Sequence, residues 1–581
     1  MKGKWFAFGC LTSVIIIIAF IFSISFSIGK LGKNIPMKKM SKKISDESYL
    51  HISLSGLVAE YNELEDDFGG LLGDDKIGAH ELIQKIILAA HDDKIKGIFL
   101  EPKNTSIGLA TANEVVGALK YFQENGKEIH CYVDFAGNRD YFLASASDKI
   151  YLNPSASAGI MLTGLGTNIH FYKDLLDKIG VEMQVVHAGK FKGAGEPYVR
   201  NRISESFKES IEELFEDVYE QMISAIASNR NISVKEVKDI YEKRDDLFIN
   251  QERALNYKLA DELAFREEVL ETLDIDEDNL VSISNYGSLS ELNNTGDKIA
   301  VVYALGTIAK PNSALETDKL HAGKLNKILD EIKDNKTIKA LVLRVNSPGG
   351  SALESEIMLT KIKEIQQHIP VVISMANVAA SGGYYISCGS DFIFVDPFTI
   401  TGSIGVVAMF PNFNKLTDKI GIHSEVISKG KFSNILDPTL PPDKNVLSSV
   451  KRSIGRTYDE FKNHVANARK MDLNAVEEVA QGRIWSSQDA VEVGLADEIG
   501  GLNDAVEKAK ELANLADYSL SYFPKKSGML QRLMKDKFDI DIETALSRKL
   551  AGTKELKKAI EFIECIQAEP IQTIMPIVAE L

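Results

Sequence analysis

The segment Asn377-Val-Ala-Ala-Ser-Gly-Gly-Tyr-Tyr385 sets a small hydroxyl residue, Ser381, between paired alanines and paired glycines. It directly follows the apolar run Val371-Val-Ile-Ser-Met375. An apolar β-branched run reads as a buried strand, and Ala-Ala-Ser-Gly-Gly as a tight strand-to-helix junction. Such a junction sets a serine oxygen beside backbone N–H groups at a helix start, where negative charge is favoured. That is nucleophile chemistry. Taken alone, the same residues read first as a small-residue packing turn, so the rest of the chemistry must be sought elsewhere in the chain.

A second candidate is Asn346-Ser-Pro-Gly-Gly-Ser351, a glycine turn with backbone donors to offer. Two N–H groups aimed at one point form an oxyanion hole, and losing one such donor costs ~10²–10³ in rate. A serine also needs a base. No histidine stands close to Ser381 in sequence, and spacing alone leaves distant ones such as His368 and His423 open. Ala188-Gly-Lys-Phe-Lys-Gly-Ala-Gly-Glu-Pro-Tyr198 supplies two lysines, Lys190 and Lys192, among small residues. A lysine works as a base only when neutral, and burial can lower its pKa from ~10.4 to ~5–6. The ten histidines contain no H-E-x-x-H, and Cys10, Cys131, Cys388 and Cys565 show no C-x-x-C spacing. Neither a metal site, a disulfide scaffold nor a cofactor is expected.

These candidates must be held by an α/β framework. Tyr49-Leu-His-Ile-Ser-Leu54 alternates like a strand, Ala79–Ala90 and Ala110–Phe122 have helical periodicity, and Ile98–Leu100, Ile129–Val133 and Lys149–Leu152 read as strands. Strands alternating with helices indicate parallel pairing with crossover helices. From Ser204 to about Glu271 the pattern is helical and acidic. Then it restarts. Lys298–Gly306 repeats the strand-then-glycine opening of Tyr49–Gly56, and Ala340–Leu343 parallels Gly97–Leu100. Ser390–Pro397 parallels Ser147–Pro154, Gly430–Phe432 parallels Gly189–Phe191, and Leu495–Glu498 parallels Leu259–Glu262. Anchors kept in one order mark a tandem duplication.

The copies differ where the chemistry lies. Ser381 faces Asn138, and the paired glycines of Pro348-Gly-Gly350 face Lys103-Asn-Thr-Ser-Ile-Gly108. Conversely, Lys192 faces Ser433, whereas Lys190 has a counterpart in Lys431. One copy has kept a serine and the other a lysine, the residue of a single site assembled across two halves.

Outside the repeats, Trp5–Ile28 carries no charged side chain and is long enough to cross a ~30 Å hydrocarbon core. Lys30, Lys33, Lys38, Lys39, Lys42 and Lys43 follow it, a cluster suited to an anionic lipid surface. Taken literally, the positive-inside rule would keep the bulk of the chain cytoplasmic. The net charge of −16 over 581 residues excludes a general nucleic-acid binder. The expected organisation is residues 1–4 as a short cytoplasmic N-terminus, 5–28 as a transmembrane anchor, 29–47 as a basic linker, 48–290 and 291–516 as the two repeats, and 517–581 as a tail. In that tail Met529–Lys537 and Ile542–Ala551 are amphipathic. Its apolar end, Ile571-Gln-Thr-Ile-Met-Pro-Ile-Val578, reads as packing against the body, or else against the membrane.

Asn346–Ser351, Ala380-Ser-Gly-Gly-Tyr-Tyr385, Thr401-Gly-Ser-Ile-Gly405, Lys192-Gly-Ala-Gly-Glu-Pro-Tyr198, Gly482-Arg-Ile-Trp485 and Gly494-Leu-Ala-Asp497 resemble the long, duplicated form of the signal peptide peptidase A (protease IV) family. The likeness covers essentially the whole chain. It implies a crotonase/Clp-protease-like fold in each half after one N-terminal transmembrane helix, and a membrane-bound serine protease that uses a Ser/Lys dyad. Carried over by position, Ser381 is the nucleophile, Lys192 the general base, and Gly382 with Gly349 or Gly350 the oxyanion donors. Gly402, Ser403, Ile404 and Gly405 would line the substrate cleft. The resemblance further implies signal-peptide remnants and other unfolded apolar peptides as substrates, contact with the lipid bilayer, and a homotetramer. It places the N-terminus in the cytoplasm and the catalytic body on the outer side of a bacterial inner membrane, against the lysine count. Two rival readings are a crotonase-like acyl-CoA enzyme, which would use the same oxyanion hole on a thioester, and a non-catalytic membrane scaffold.

Overall fold

The computed structural model describes residues 44–62, 64–65, 77–276, 278–287, 296–310, 319–430, 433–434, 437–440, 444–525, 527–528 and 571–574. The expected anchor Trp5–Ile28, its lysine cluster, Cys10, Cys565 and the two amphipathic tail stretches lie outside these residues. Among the described residues no helix is long and apolar enough to cross a membrane.

In the first half, β1 (Ser48–Leu57), β2 (Ile95–Ser106), β3 (Glu128–Val133) and β4 (Lys149–Leu152) alternate with helices α1 (Ala79–Ala90), α2 (Leu109–Glu124) and α3 (Asn138–Ala144). β5 (Glu182–Ala188) leaves this sheet, and β6 (Glu262–Leu263) and β7 (Leu280–Ser282) complete it in the order β7-β1-β2-β3-β4-β6, every pair parallel. The second half builds the same sheet again. β8 (Lys298–Leu305), β9 (Ile338–Ser347), the short β10 (Gly349–Ser351), β11 (Val371–Ala380) and β12 (Phe392–Val395) are followed by β13 (Ile400–Gly402), β14 (Val406–Asn412), β15 (Ile484–Trp485), β16 (Glu498–Ile499) and β17 (Ser519–Phe523). Parallel pairs run β17-β8-β9-β11-β12-β16, with β13 parallel on β11 and β15 antiparallel on β13. The sheet therefore runs past residue 516, where the tail was expected to begin.

Both sheets are covered on two faces, which is why β8 reads as one unbroken apolar run with all but its end residues buried. The duplication extends to individual side-chain bonds. Tyr141 donates to the Leu259 carbonyl at 3.0 Å, and Tyr384 to the Leu495 carbonyl at 2.9 Å. Asp261 accepts from the Ile150 N–H and pairs with Arg230, as Asp497 accepts from the Ile393 N–H and pairs with Arg469.

The halves share a core rather than merely abutting. Val378, Ala380, Phe398, Ile400 and Ile484 of the second half are buried within the hydrophobic cluster of the first. Beside that seam Arg344 has no solvent exposure. Its Nε donates to Glu60 at 2.7 Å, and its Nη1 and Nη2 donate to the two oxygens of Glu114 at 3.0 and 2.7 Å. Two carboxylates of the first half thus hold a guanidinium of the second in its charged form, with planar, paired geometry suited to arginine. Nearby, Asn113 donates to the buried Asp396 at 2.9 Å.

Candidate active site

Ser381 stands between the end of β11 and helix α4 (Gly382–Ser387). Its φ of 57° and ψ of −112° are sparsely populated by residues with a side chain. Such a conformation persists where its surroundings over-determine it. Here the Ser381 N–H donates to Gly402 O at 2.8 Å, and Ser381 O accepts from the Tyr385 N–H at 2.8 Å. The strand-to-helix elbow expected from Ala-Ala-Ser-Gly-Gly is the local geometry observed.

Lys192 arrives from the other half. β5 pairs antiparallel with β14, Ala188 opposite Val406, and this carries the loop after β5 onto the second half. There the Phe191 N–H donates to Gln481 O at 2.9 Å. Gly482, at φ +78°, lets the lysine settle, since a Cβ on it would lie 2.7 Å from both N and Cβ of Lys192. Lys192 Nζ lies 2.7 Å from Ser381 Oγ, 2.8 Å from Ser403 O and 3.0 Å from Ser403 Oγ. Lys192 is only 2% exposed, and burial alone pushes its amine well below the usual lysine range.

The structure separates the two lysines. Lys190 is exposed, with Nζ 4.5 Å from the centre of the Phe191 ring. His368 and His423 are also exposed. Glu196 of the Glu-Pro-Tyr motif instead accepts from the Ser204 N–H at 2.8 Å, bracing the start of the helix Glu205–Arg230 that packs behind the lysine loop.

The glycines of the two turns meet. A Cβ on Gly382 would come 3.0 Å from Gly349 Cα and 3.1 Å from Gly350 N, so both candidate donor segments converge beside Ser381. The Gly349 N–H itself donates to Ser347 Oγ at 3.2 Å. Of the four residues expected along the cleft, Gly402 accepts from Ser381 and Ser403 holds the lysine amine. Ile404 is wholly buried in the core, and a Cβ on Gly405 would lie 3.0 Å from Ala188 O. The stretch supports the serine–lysine pair. Ser403, at φ 50°, is the contributor whose contact with the lysine was missed by sequence reasoning; its place between two glycines of Gly402–Gly405 was the available signal.

In the opposite copy the equivalent positions are spent on structure, Asn138 in the first half and Ser433 in the second. Asn138 donates through Nδ2 to Gly164 O at 2.8 Å and accepts from the Thr163 N–H at 3.0 Å, tying down a loop. Ser433, opposite Lys192 in the repeat, is exposed and donates to Gly430 O at 3.1 Å. Glu356, Glu460 and His464 lie close enough to suggest a cation site. His464, however, bonds Glu356 through Nε2 and Lys363 through Nδ1, both at 2.9 Å, while Tyr385 donates to Glu356 at 2.6 Å. An ammonium at the ring nitrogen makes this a polar brace on α4.

The family model for "Peptidase family S49" matches residues 121–280 and 363–516, one segment in each half, with Lys192 in the first and Ser381 in the second. Protease 4 of Haemophilus influenzae is 32% identical over 524 residues, covering 84% of this chain and 83% of that protein. The chloroplastic serine protease SPPA of Arabidopsis thaliana is 31% identical, covering 82% and 70%. Protease 4 of Salmonella typhi is 33% identical, covering 78% and 75%. With a family match in each half and relatives this similar over most of their length, the chain belongs to peptidase family S49 and is a serine protease.

Proposed function

We propose that this protein is a membrane-bound endopeptidase that degrades released signal peptides and other unfolded apolar peptides through a Ser381/Lys192 dyad. The observation that carries the reading is the 2.7 Å approach of Lys192 Nζ to Ser381 Oγ in a buried site whose burial lowers the lysine's proton affinity. A neutral amine has two N–H donors and one lone pair. The carbonyl and hydroxyl of Ser403, at 2.8 and 3.0 Å, take the two donors, which leaves the lone pair to accept the Ser381 O–H.

In this mechanism Lys192 removes the serine proton as Oγ attacks the scissile carbonyl, and the resulting ammonium then protonates the leaving amine. Water repeats the cycle on the acyl-enzyme, again with Lys192 as base. The N–H of Gly382, with one from Gly349–Gly350, stabilises the tetrahedral oxyanion. The apolar Trp5–Ile28 segment would anchor the protein in a bacterial inner membrane with its catalytic body on the outer side, as a homotetramer. Hydrolysis of a synthetic signal peptide by the wild type, lost in Ser381→Ala and in Lys192→Met with assembly intact, is the expected result. Thioester hydrolysis without peptide hydrolysis would favour the acyl-CoA reading, and retained peptidase activity in Ser381→Ala would refute the dyad.

A further inference from the structure

The described tail residues Ile571–Ile574 form a strand, β18, in the middle of a four-stranded sheet ordered β10-β18-β14-β5. On one edge β18 pairs antiparallel with the glycine strand: Ile574 lies opposite Gly349, Thr573 opposite Gly350 and Gln572 opposite Ser351. On the other edge it pairs antiparallel with β14, Gln572 opposite Val407 and Ile571 opposite Ala408. These two neighbours are the backbones that flank the site. β10 carries the glycines that meet Gly382, and β14 follows directly from Gly402–Gly405, whose Ser403 holds the Lys192 amine.

We propose that this carboxy-terminal segment is an internal ligand of the catalytic cleft, held in the register of a peptide substrate, and that it must leave before substrate enters. The inference rests on the Ser381/Lys192 reading above. A slot between two strand edges binds any extended peptide through main-chain hydrogen bonds, so a tail strand and a substrate strand compete for the same donors and acceptors. The direction fits as well. Antiparallel pairing makes the tail run from Ile571 toward Ile574, and so toward Gly349 and the start of α4, where Ser381 stands. Residues that precede a scissile bond would run the same way. Helices α4 and Ala352–Gln366 both lie against β18, and Ser381 has no exposed surface with the strand in place. The sequence Ile571-Gln-Thr-Ile-Met-Pro-Ile-Val578 is itself an unfolded-peptide-like apolar stretch. Pro576, two residues beyond the last paired position, makes the Met575–Pro576 bond a tertiary amide.

The test uses the full chain carrying Thr573→Pro, which removes the N–H opposite Gly350 and disfavours a central strand. A closed fraction lowers apparent affinity by the fraction open. If about one tenth of wild-type molecules are open, the variant should hydrolyse an apolar fluorogenic peptide with kcat/KM about 10-fold higher, mainly through a lower KM. A synthetic peptide of residues 569–578 should inhibit the variant competitively. Because the substitution could disturb the sheet, a second measurement uses the wild type. Hydrogen exchange at 571–574 should accelerate when a tripeptide aldehyde occupies the site. Unchanged or reduced kcat/KM without competitive inhibition, or protection at 571–574 that persists with the aldehyde bound, overturns the proposal. Ser381→Ala run alongside keeps the two readings apart. If it abolishes hydrolysis while the tail experiments fail, only the tail inference falls.

Discussion

Replacing Lys192 with methionine keeps an unbranched side chain of similar length against Gly482 but removes the amine and its lone pair. Three contacts within 3.0 Å disappear, to Ser381 Oγ, Ser403 O and Ser403 Oγ. Loss of a base that acts as a unit with its nucleophile lowers kcat by ~10⁴ or more, about 5.5 kcal/mol of barrier. Folding should respond differently. Because burial depresses the lysine's folded pKa, unfolding takes up a proton below the free-lysine range near ~10.4. Stability contributed by this group is therefore present above that pH and is lost, at about 1.4 kcal/mol per pH unit, as the pH falls toward the folded value. Methionine abolishes that dependence while giving up hydrogen bonds worth about 1 kcal/mol each. Peptide hydrolysis measured beside urea unfolding at several pH values separates the two effects. In the wild type, kcat/KM should rise with pH through a midpoint well below ~10.4, since the protonated amine is inactive. Lys190→Met, altering an exposed side chain, should leave the rate within about threefold. A Lys192→Met enzyme that keeps more than about a tenth of wild-type kcat/KM would refute the reasoning, as would an equal loss in Lys190→Met.

Ser403→Ala removes one acceptor of the lysine amine, so kcat should fall about 10-fold. The pH midpoint should move lower, because that hydroxyl stabilises the ammonium; an unmoved profile would reduce Ser403 to packing. Arg344→Met leaves the Glu60 and Glu114 carboxylates buried without their counter-ion and should cost about 3–5 kcal/mol in urea unfolding. Adding Glu60→Gln and Glu114→Gln should recover much of that loss. The buried Asp396 carboxyl is pushed from 3.8 up to about 8 by desolvation. Its contribution to stability is full below about pH 4 and is lost as pH rises toward 8, at about 1.4 kcal/mol per unit, and Asp396→Asn should remove this part of the slope.

The fold was legible where the chain repeats itself. The twofold run of strands and helices and the split of Lys192 from Ser381 follow from comparing two copies within one sequence, and the elbow at Ser381 from Ala-Ala-Ser-Gly-Gly after an apolar run. Ala79–Ala90 and Lys149–Leu152 fall at their expected ends, while Ile98–Leu100 is the apolar centre of a strand that runs from Ile95 to Ser106. Its distal residues, Glu101-Pro-Lys-Asn-Thr-Ser106, are polar apart from the proline and escaped a hydrophobic reading. Ser403 was seen but assigned to the cleft, because nothing in a Gly-Ser-Ile-Gly run tells which way a hydroxyl turns. Arg344 gave no warning at all. A buried guanidinium becomes visible only when Glu60 and Glu114, far away in sequence, are brought beside it. The tail was read as apolar packing, and its register beside Gly349 is a property of backbone pairing that composition does not encode.

The antiparallel pairing of β5 with β14 has a genetic consequence. It brings Lys192 and Ser381 together within one polypeptide, although 189 residues separate them. On the proposed dyad, a chain lacking the lysine and a chain lacking the serine would each carry a dead site, however they are mixed or assembled. Co-expressed in one cell, two such alleles should fail to complement, and activity should track the fraction of doubly intact chains.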